Sequence, residues 1–248
     1  MEILTIKNMD YKFINVLKDI NNIKYFVWTF SKTGTTSLSK SLQRLHNNSD
    51  EYENVLHCHT EDCWHTYFNL ESNFSIMDIV KMQKNKPIIF QLYRNPIERL
   101  ISDYFHVKNC KNYDINDDVN DDLNNYLNYK TDKYYEYYED KLDFKFSDIK
   151  YDKINKFLFI EKDEYYLFFT ALEHFSYLKN NLINCFNSRD FCFDNFSITK
   201  EHIGSYNKKN IKIKKDIIDK LFENNKEIIE FYYTDEEIEN FKNKYTLI

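Results

Sequence analysis

The stretch Tyr25-Phe-Val-Trp-Thr-Phe-Ser-Lys-Thr-Gly-Thr-Thr-Ser-Leu38 constrains the fold more than any other. Its aromatic and β-branched residues from Tyr25 to Phe30 read as a buried strand. Ser31–Thr35 reads as a tight polar loop, and Thr36 onward as the start of a helix. A strand that turns through such a loop into a helix makes an anion site. The first helical amides have no intrahelical partner, and the helix dipole adds partial positive charge there. The chain has only two glycines, and Gly34 is one of them. In this loop a glycine tolerates positive φ and lets the backbone approach a ligand.

The loop differs from the G-x-x-x-x-G-K-[ST] nucleotide loop. With Gly34 as the second glycine, Thr35 stands at the lysine position and Thr29 at the first glycine. The lysine is instead Lys32, two residues before Gly34, with the hydroxyls of Thr33, Thr35 and Thr36 around it. ATPase or GTPase chemistry is thereby weakened at its central group, while a phosphate-like cradle remains.

Residues 86–106 indicate which anion. Ile88–Tyr93 is apolar enough for a central strand, and Arg94 stands at its C-terminal end, where open α/β sheets bind ligands. Asn95 fits an N-cap and Pro96 the first helical position, and Glu98 has the spacing of a capping box. Helical spacing puts Ser102 about two turns along, on the Arg94 side. A guanidinium fork with a hydroxyl suits a terminal phosphate. Arg99 lies off that face and reads as structural.

Ser31-Lys-Thr-Gly-Thr-Thr-Ser-Leu resembles the 5′-phosphosulfate loop of sulfotransferases that use 3′-phosphoadenosine 5′-phosphosulfate (PAPS). Arg94-Asn-Pro-Ile-Glu-Arg-Leu-Ile-Ser-Asp-Tyr resembles their 3′-phosphate motif, in the family's order and spacing. The resemblance implies a three-layer P-loop-like α/β fold and a sulfuryl transfer without metal. It implies that Lys32 touches the phosphosulfate, that Ser31, Thr33, Gly34, Thr35, Thr36 and Ser37 supply loop and helix contacts, and that Arg94 and Ser102 hold the 3′-phosphate. Lys156-Phe-Leu-Phe-Ile-Glu and Ile203-Gly-Ser-Tyr-Asn-Lys-Lys look like later segments of glycan-type members, so the implied acceptor is a carbohydrate hydroxyl. The arginine-lysine-glycine loop of cytosolic members is absent.

Between the two motifs runs His57-Cys-His-Thr-Glu-Asp-Cys-Trp-His65. Strand alternation puts His57 and His59 on one face and Cys58 on the other. In cytosolic sulfotransferases the region between these motifs carries the catalytic histidine, and this cluster looks like the matching place; an imidazole suits the removal of an acceptor's proton near neutral pH. His59, nearer the strand's C-terminal mouth, is the first candidate base. His57 is the second and Glu61 the third, since some glycan-type members use glutamate. Metal binding by His57, His59, Cys63 and His65 competes, but no C-x-x-C spacing supports it. Packed or surface roles compete for each of these residues.

At 248 residues the chain suits one α/β domain, with 109–150 as a variable insertion. A net charge of −6 argues against a general nucleic-acid binder. The first ten residues lack a signal peptide's basic flank and apolar run, and no segment approaches a membrane span. Five cysteines without an export signal fit reduced thiols, so a cytoplasmic location is expected. Two rival functions stay open: a magnesium-dependent phosphoryl transferase with a degenerate loop, and a non-catalytic nucleotide-binding module.

Alternating strands and helices predict a mostly parallel sheet. Strands are expected at Tyr25–Phe30, Asn54–His59, Pro87–Tyr93 and Phe157–Ile160. Helices are expected at Thr36–Leu45, Ser75–Lys84, Pro96–Lys108, Leu123–Leu142, Leu167–Leu182 and Lys214–Phe231. Asn109–Asp122 reads as an acidic surface loop, and Ile3–Ile20 is ambiguous.

Overall fold

The computed structural model describes residues 21–45, 55–59, 75–108, 117–130, 135–186, 191–198 and 211–246. In chain order its elements are β1 (Tyr25–Trp28), α1 (Thr35–Leu45), β2 (Val55–Cys58), α2 (Ile76–Lys81), β3 (Ile88–Tyr93), α3 (Pro96–Val107), α4 (Asp117–Asn128), α5 (Tyr135–Leu142), β4 (Leu158–Glu161), β5 (Tyr166–Ala171), α6 (Phe175–Phe186), α7 (Lys215–Asn224), α8 (Lys226–Tyr232) and α9 (Asp235–Tyr245). The fold is α/β, with a mostly parallel sheet flanked by helices. Two compact units divide the chain: Met1–Tyr93 with Phe157–Glu201, and Arg94–Lys156 with His202–Ile248.

The first unit carries the sheet, in the order β2-β1-β3-β5-β4. All neighbours are parallel except β4, which runs antiparallel to β5 at one edge. Parallel strands need both faces covered, and β3 is buried at all six positions. On one face Tyr25, Val27, Val55, Ile88, Phe90 and Phe168 pack with Leu38 and Leu42 of α1 and Leu178, Leu182 and Phe186 of α6. The alternating residues Phe26, Trp28, Ile89, Leu167 and Phe169 are equally buried on the other. The connection from β1 leads to β2 on one side, whereas β3 continues towards β5 on the other. The C-terminal ends of β1 and β3 therefore form a topological switch point, where sheets of this kind open a crevice.

Residues 167–171 belong to a strand and do not begin the expected Leu167–Leu182 helix. A buried apolar run of this length reads equally as either element. Here Tyr166–Ala171 completes the β3 ladder, and a 3₁₀ turn at Leu172–His174 leads into α6.

In the second unit α3 packs against α4 and α7. The expected Leu123–Leu142 helix is two helices, α4 and α5, and α4 takes in the end of the expected Asn109–Asp122 loop from Asp117 on. The expected Lys214–Phe231 helix is also two. It breaks at Asn225, whose backbone leaves the helical region (φ −119°, ψ 18°) and whose side-chain amide donates to the Leu221 carbonyl at 2.8 Å. Helix α9 opens with a capping box from Thr234 and Glu237. Asn120 and Asn124, one turn apart on α4, hold the extended segment before α7. Asn120 Oδ1 accepts from Lys212 N at 3.0 Å and Asn124 Oδ1 from Lys214 N at 2.9 Å, while Asn124 Nδ2 donates to the Lys212 carbonyl at 3.1 Å. Residues 3–20 and the resembling segment at 203–209 lie outside the described residues.

Candidate functional site

The β1–α1 loop is strained where the sequence pattern points. Lys32 has φ 66° and Gly34 φ 91°, so two left-handed residues flank Thr33. Left-handed backbone costs a non-glycine residue about 1–2 kcal/mol, and such outliers gather at functional sites. Backbone that alternates between hands in this way is the kind that forms anion-binding concavities of successive N–H groups. Thr33 is fully buried, and its Oγ1 donates to the Phe30 carbonyl at 2.7 Å. Its hydroxyl thus closes the turn, in contrast to the expected row of three hydroxyls around the cradle.

Helix α1 begins one residue earlier than expected, at Thr35. Its first backbone bond runs from Leu38 N–H to the Gly34 carbonyl, at 3.1 Å. The amides of Thr35, Thr36 and Ser37 precede that bond, at the positive end of the helix dipole. Ser31, Lys32, Gly34, Thr36 and Ser37 are half-buried, and Thr35 is buried. A Cβ on Gly34 would lie 2.5 Å from Leu172 Cδ1, so close packing as well as φ demands the glycine.

The sequence gives no warning of the part played by Thr29, the first residue after β1. Its N–H donates to the Cys58 carbonyl at 3.3 Å, its Oγ1 to the Leu92 carbonyl at 2.5 Å, and its own carbonyl meets His59 Nδ1 at 2.8 Å. Gln91 Nε2 donates to the Trp28 carbonyl. The β1–β3 ladder pairs Tyr25–Val27 with Ile88–Phe90. Beyond it, side chains of Thr29 and Gln91 span the strand ends and pair backbone carbonyls of Leu92 and Trp28 that the ladder does not reach.

His59 follows β2 directly, and the expected pairing with His57 on one face holds: their rings meet edge-on with centroids 5.1 Å apart. A carbonyl can only accept, so the Thr29 contact puts the proton on His59 Nδ1 and leaves Nε2 as the basic nitrogen. Burial lowers the His59 pKa from 6.5. The Thr29 hydrogen bond opposes that shift, and the positive charge of Lys32 adds to it. His57 is lowered further, to about 4, by burial and then by His59. Its Nε2 is buried and has no hydrogen-bond partner among the described residues. Both imidazoles are therefore neutral at pH 7. His59 is the more open of the two to a base's work, because its hydrogen bond fixes the tautomer.

The first unit thus brings together Lys32, Gly34, the α1 N-terminus, His57 and His59. Glu61, Cys63 and His65 lie outside the described residues. Among the described residues no group of three or more His, Cys, Asp or Glu is placed to hold a metal.

The second unit carries Arg94 and Ser102. Asn95 caps α3 as expected, its Oδ1 accepting from Ile97 N at 3.0 Å, and Pro96 takes the first helical position. Glu98 does not close the expected capping box. It is almost fully buried and meets Arg94 Nη2 at 3.4 Å through Oε2, while Oε1 receives Lys244 Nζ at 2.6 Å and the Tyr245 hydroxyl. Arg94 thus has the acidic partner that a structural role would also use. Ser102, half-buried, stands one further turn along the same helical face. Arg99 is buried, in keeping with its structural reading. A cleft of about 360 Å³ on α7–α9, lined by Asp219, Glu223, Lys226 and Glu230 among others, includes none of the candidate residues. No helix among the described residues is long and apolar enough to cross a membrane.

No family model, curated protein or solved structure matches the chain.

Proposed function

We propose that the chain is a PAPS-dependent sulfotransferase acting on a hydroxyl, in first place that of a carbohydrate. The observation that carries this is His59: a neutral imidazole, its Nδ1 proton given to the Thr29 carbonyl, beside Lys32 in a strained anion-binding loop. That set supplies both things a sulfuryl transfer needs from a protein, a base and a fixed positive charge.

The donor set suits a phosphosulfate group. Lys32 offers charge, the positive-φ residues on either side of Thr33 suit an anion-binding backbone concavity, and the amides of Thr35, Thr36 and Ser37 stand at a helix N-terminus. The hydroxyls of Ser31, Thr36 and Ser37 are at the same loop. By the resemblance, Arg94 and Ser102 hold the 3′-phosphate, and a guanidinium fork is apt for that task. Bound there, PAPS supplies an activated sulfuryl group. His59 Nε2 takes the acceptor's proton, and the proton stays on a ring whose other nitrogen is anchored. Lys32 presents a positive charge where negative charge grows on the leaving phosphate, without reorganisation at the moment of reaction. His57 packs edge-on against the His59 ring.

Calorimetry with adenosine 3′,5′-bisphosphate, ADP and ATP in EDTA tests the cofactor class. Selective metal-free binding of the bisphosphate, weakened in Arg94→Ala, is the expected result. A preference for ATP that appears only with Mg²⁺ refutes it and favours phosphoryl transfer. Bisphosphate binding without turnover on any carbohydrate acceptor favours a non-catalytic module.

A further inference from the structure

We infer that Glu98 is a positioning residue for Arg94, set by the last turn of the C-terminal helix. The inference rests on the sulfotransferase reading for the ligand of Arg94, a phosphate monoester. The sequence alone makes Glu98 a cap for its own helix, but the structure uses it elsewhere. Its carboxylate is 5% exposed, and its two oxygens are divided between two tasks. Oε1 receives Lys244 Nζ at 2.6 Å and the Tyr245 hydroxyl, both from the end of α9. Oε2 faces Arg94 Nη2 at 3.4 Å. Two donors on one oxygen fix the plane of the carboxylate, and that plane fixes the side on which Arg94 is met.

The charge count explains why this arrangement suits an anion site. Arg94 and Lys244 bring two positive charges to one carboxylate, so these three side chains keep a surplus of one. The Arg94 contact runs from Nη2 to Oε2 at 3.4 Å, longer than the usual charge-assisted hydrogen bond. Lys244, with its side chain 47% exposed, carries positive charge to the rim of the cluster.

Orientation and charge predict opposite signs for Glu98→Gln. If Glu98 only neutralised charge, removing it would tighten phosphate binding. If it positions Arg94, the amide sets an N–H donor or a weaker acceptor against the guanidinium, and phosphate binding weakens despite the gain in net charge. The experiment compares adenosine 3′,5′-bisphosphate with adenosine 5′-phosphate, which lacks the 3′-phosphate, on the full chain by calorimetry. Wild type is expected to prefer the bisphosphate and Arg94→Ala to lose that preference. Glu98→Gln is expected to reduce it by about tenfold, the size of one hydrogen bond to a charged group, with adenosine 5′-phosphate binding unchanged. Tyr245→Phe changes no charge and little shape, and is expected to reduce the preference in the same direction. It keeps the test open should Glu98→Gln fail to fold. Unchanged or tighter bisphosphate binding in these variants overturns the inference, as does equal weakening of both ligands. A wild type with no preference overturns the sulfotransferase reading itself and this inference with it. Intact preference in wild type, lost in Arg94→Ala but kept in Glu98→Gln and Tyr245→Phe, overturns the inference alone.

Discussion

Replacing Gly34 by alanine separates the backbone requirement of the β1–α1 loop from its chemistry. At φ 91° a Cβ meets left-handed strain of about 1–2 kcal/mol. The added atom would also lie 2.5 Å from Leu172 Cδ1 and 3.4 Å from both Leu172 Cγ and Phe175 Cζ. Leu172 is half-buried and its Cδ1 is a side-chain tip, so it yields by leaving its rotamer, at about 0.5–1.5 kcal/mol. Loss of glycine's freedom in the unfolded chain offsets about 0.4–1 kcal/mol. A net destabilisation near 2 kcal/mol is expected, given the range of these terms. Urea denaturation measures it, and a double-mutant cycle with Leu172→Ala divides it. Removing the leucine tip should recover the steric part, about 1 kcal/mol, and leave the φ part untouched. An alanine variant as stable as wild type refutes the strain. Full recovery in the double mutant refutes the assignment of any cost to φ.

The remaining predictions concern the same crevice. On the proposed function, Lys32→Ala and Lys32→Gly should both lower the rate of sulfuryl transfer by about 10²–10³, through loss of the charge. Only the glycine variant should gain stability, by about 1 kcal/mol, as the left-handed strain is relieved. Equal stability of the two refutes the strain at Lys32, and near-normal turnover refutes its role. On the same reading His59→Ala should cost about 10²–10⁴ in rate. A base works only when neutral, and a pKa below 6.5 keeps His59 neutral at pH 7, so activity should be level there and fall as the pH drops through that lowered value. Lys32→Met removes a positive neighbour and should move the imidazole titration, followed by NMR, to higher pH; an unmoved titration contradicts the coupling. Thr29→Val strips the hydroxyl from the Leu92 carbonyl in a fully buried place and should cost about 1–3 kcal/mol in urea melts. A loss below a few tenths would show that the strand ends are not held by this bond.

Much of the sheet was legible because its strands are contiguous aromatic and β-branched runs with marked ends. Tyr25–Trp28 stops at a polar loop, and Ile88–Tyr93 stops at Arg94-Asn-Pro. Tyr166–Ala171 was not, because no glycine or proline separates it from α6 and its apolar run suits either element. The break at Asn225 was hidden for the same reason, since it is made by a side chain turning back on Leu221. The pairing of His57 and His59 followed from strand alternation alone. The tautomer of His59 did not, because it depends on Thr29, thirty residues away in sequence. Glu98 shows the limit most clearly. Local spacing offers it to its own helix, while Lys244 and Tyr245, from the far end of the chain, take it instead. Local rules give elements and caps; partners across the sheet or between helices depend on register that no local window contains.

The central place of β3 has a consequence for how this chain is made. Ile88–Tyr93 pairs with β1, which precedes it, and with β5, which is synthesised much later, Ile88 meeting Tyr166. At about 5–20 residues per second, the intervening stretch takes on the order of 4–15 s to emerge from a ribosome. For that interval one edge of an apolar strand has its N–H and C=O groups unmatched. Nascent chains stalled within this window should therefore be the ones that chaperones hold and that aggregate in their absence. Chains extended past Ala171 should escape both fates.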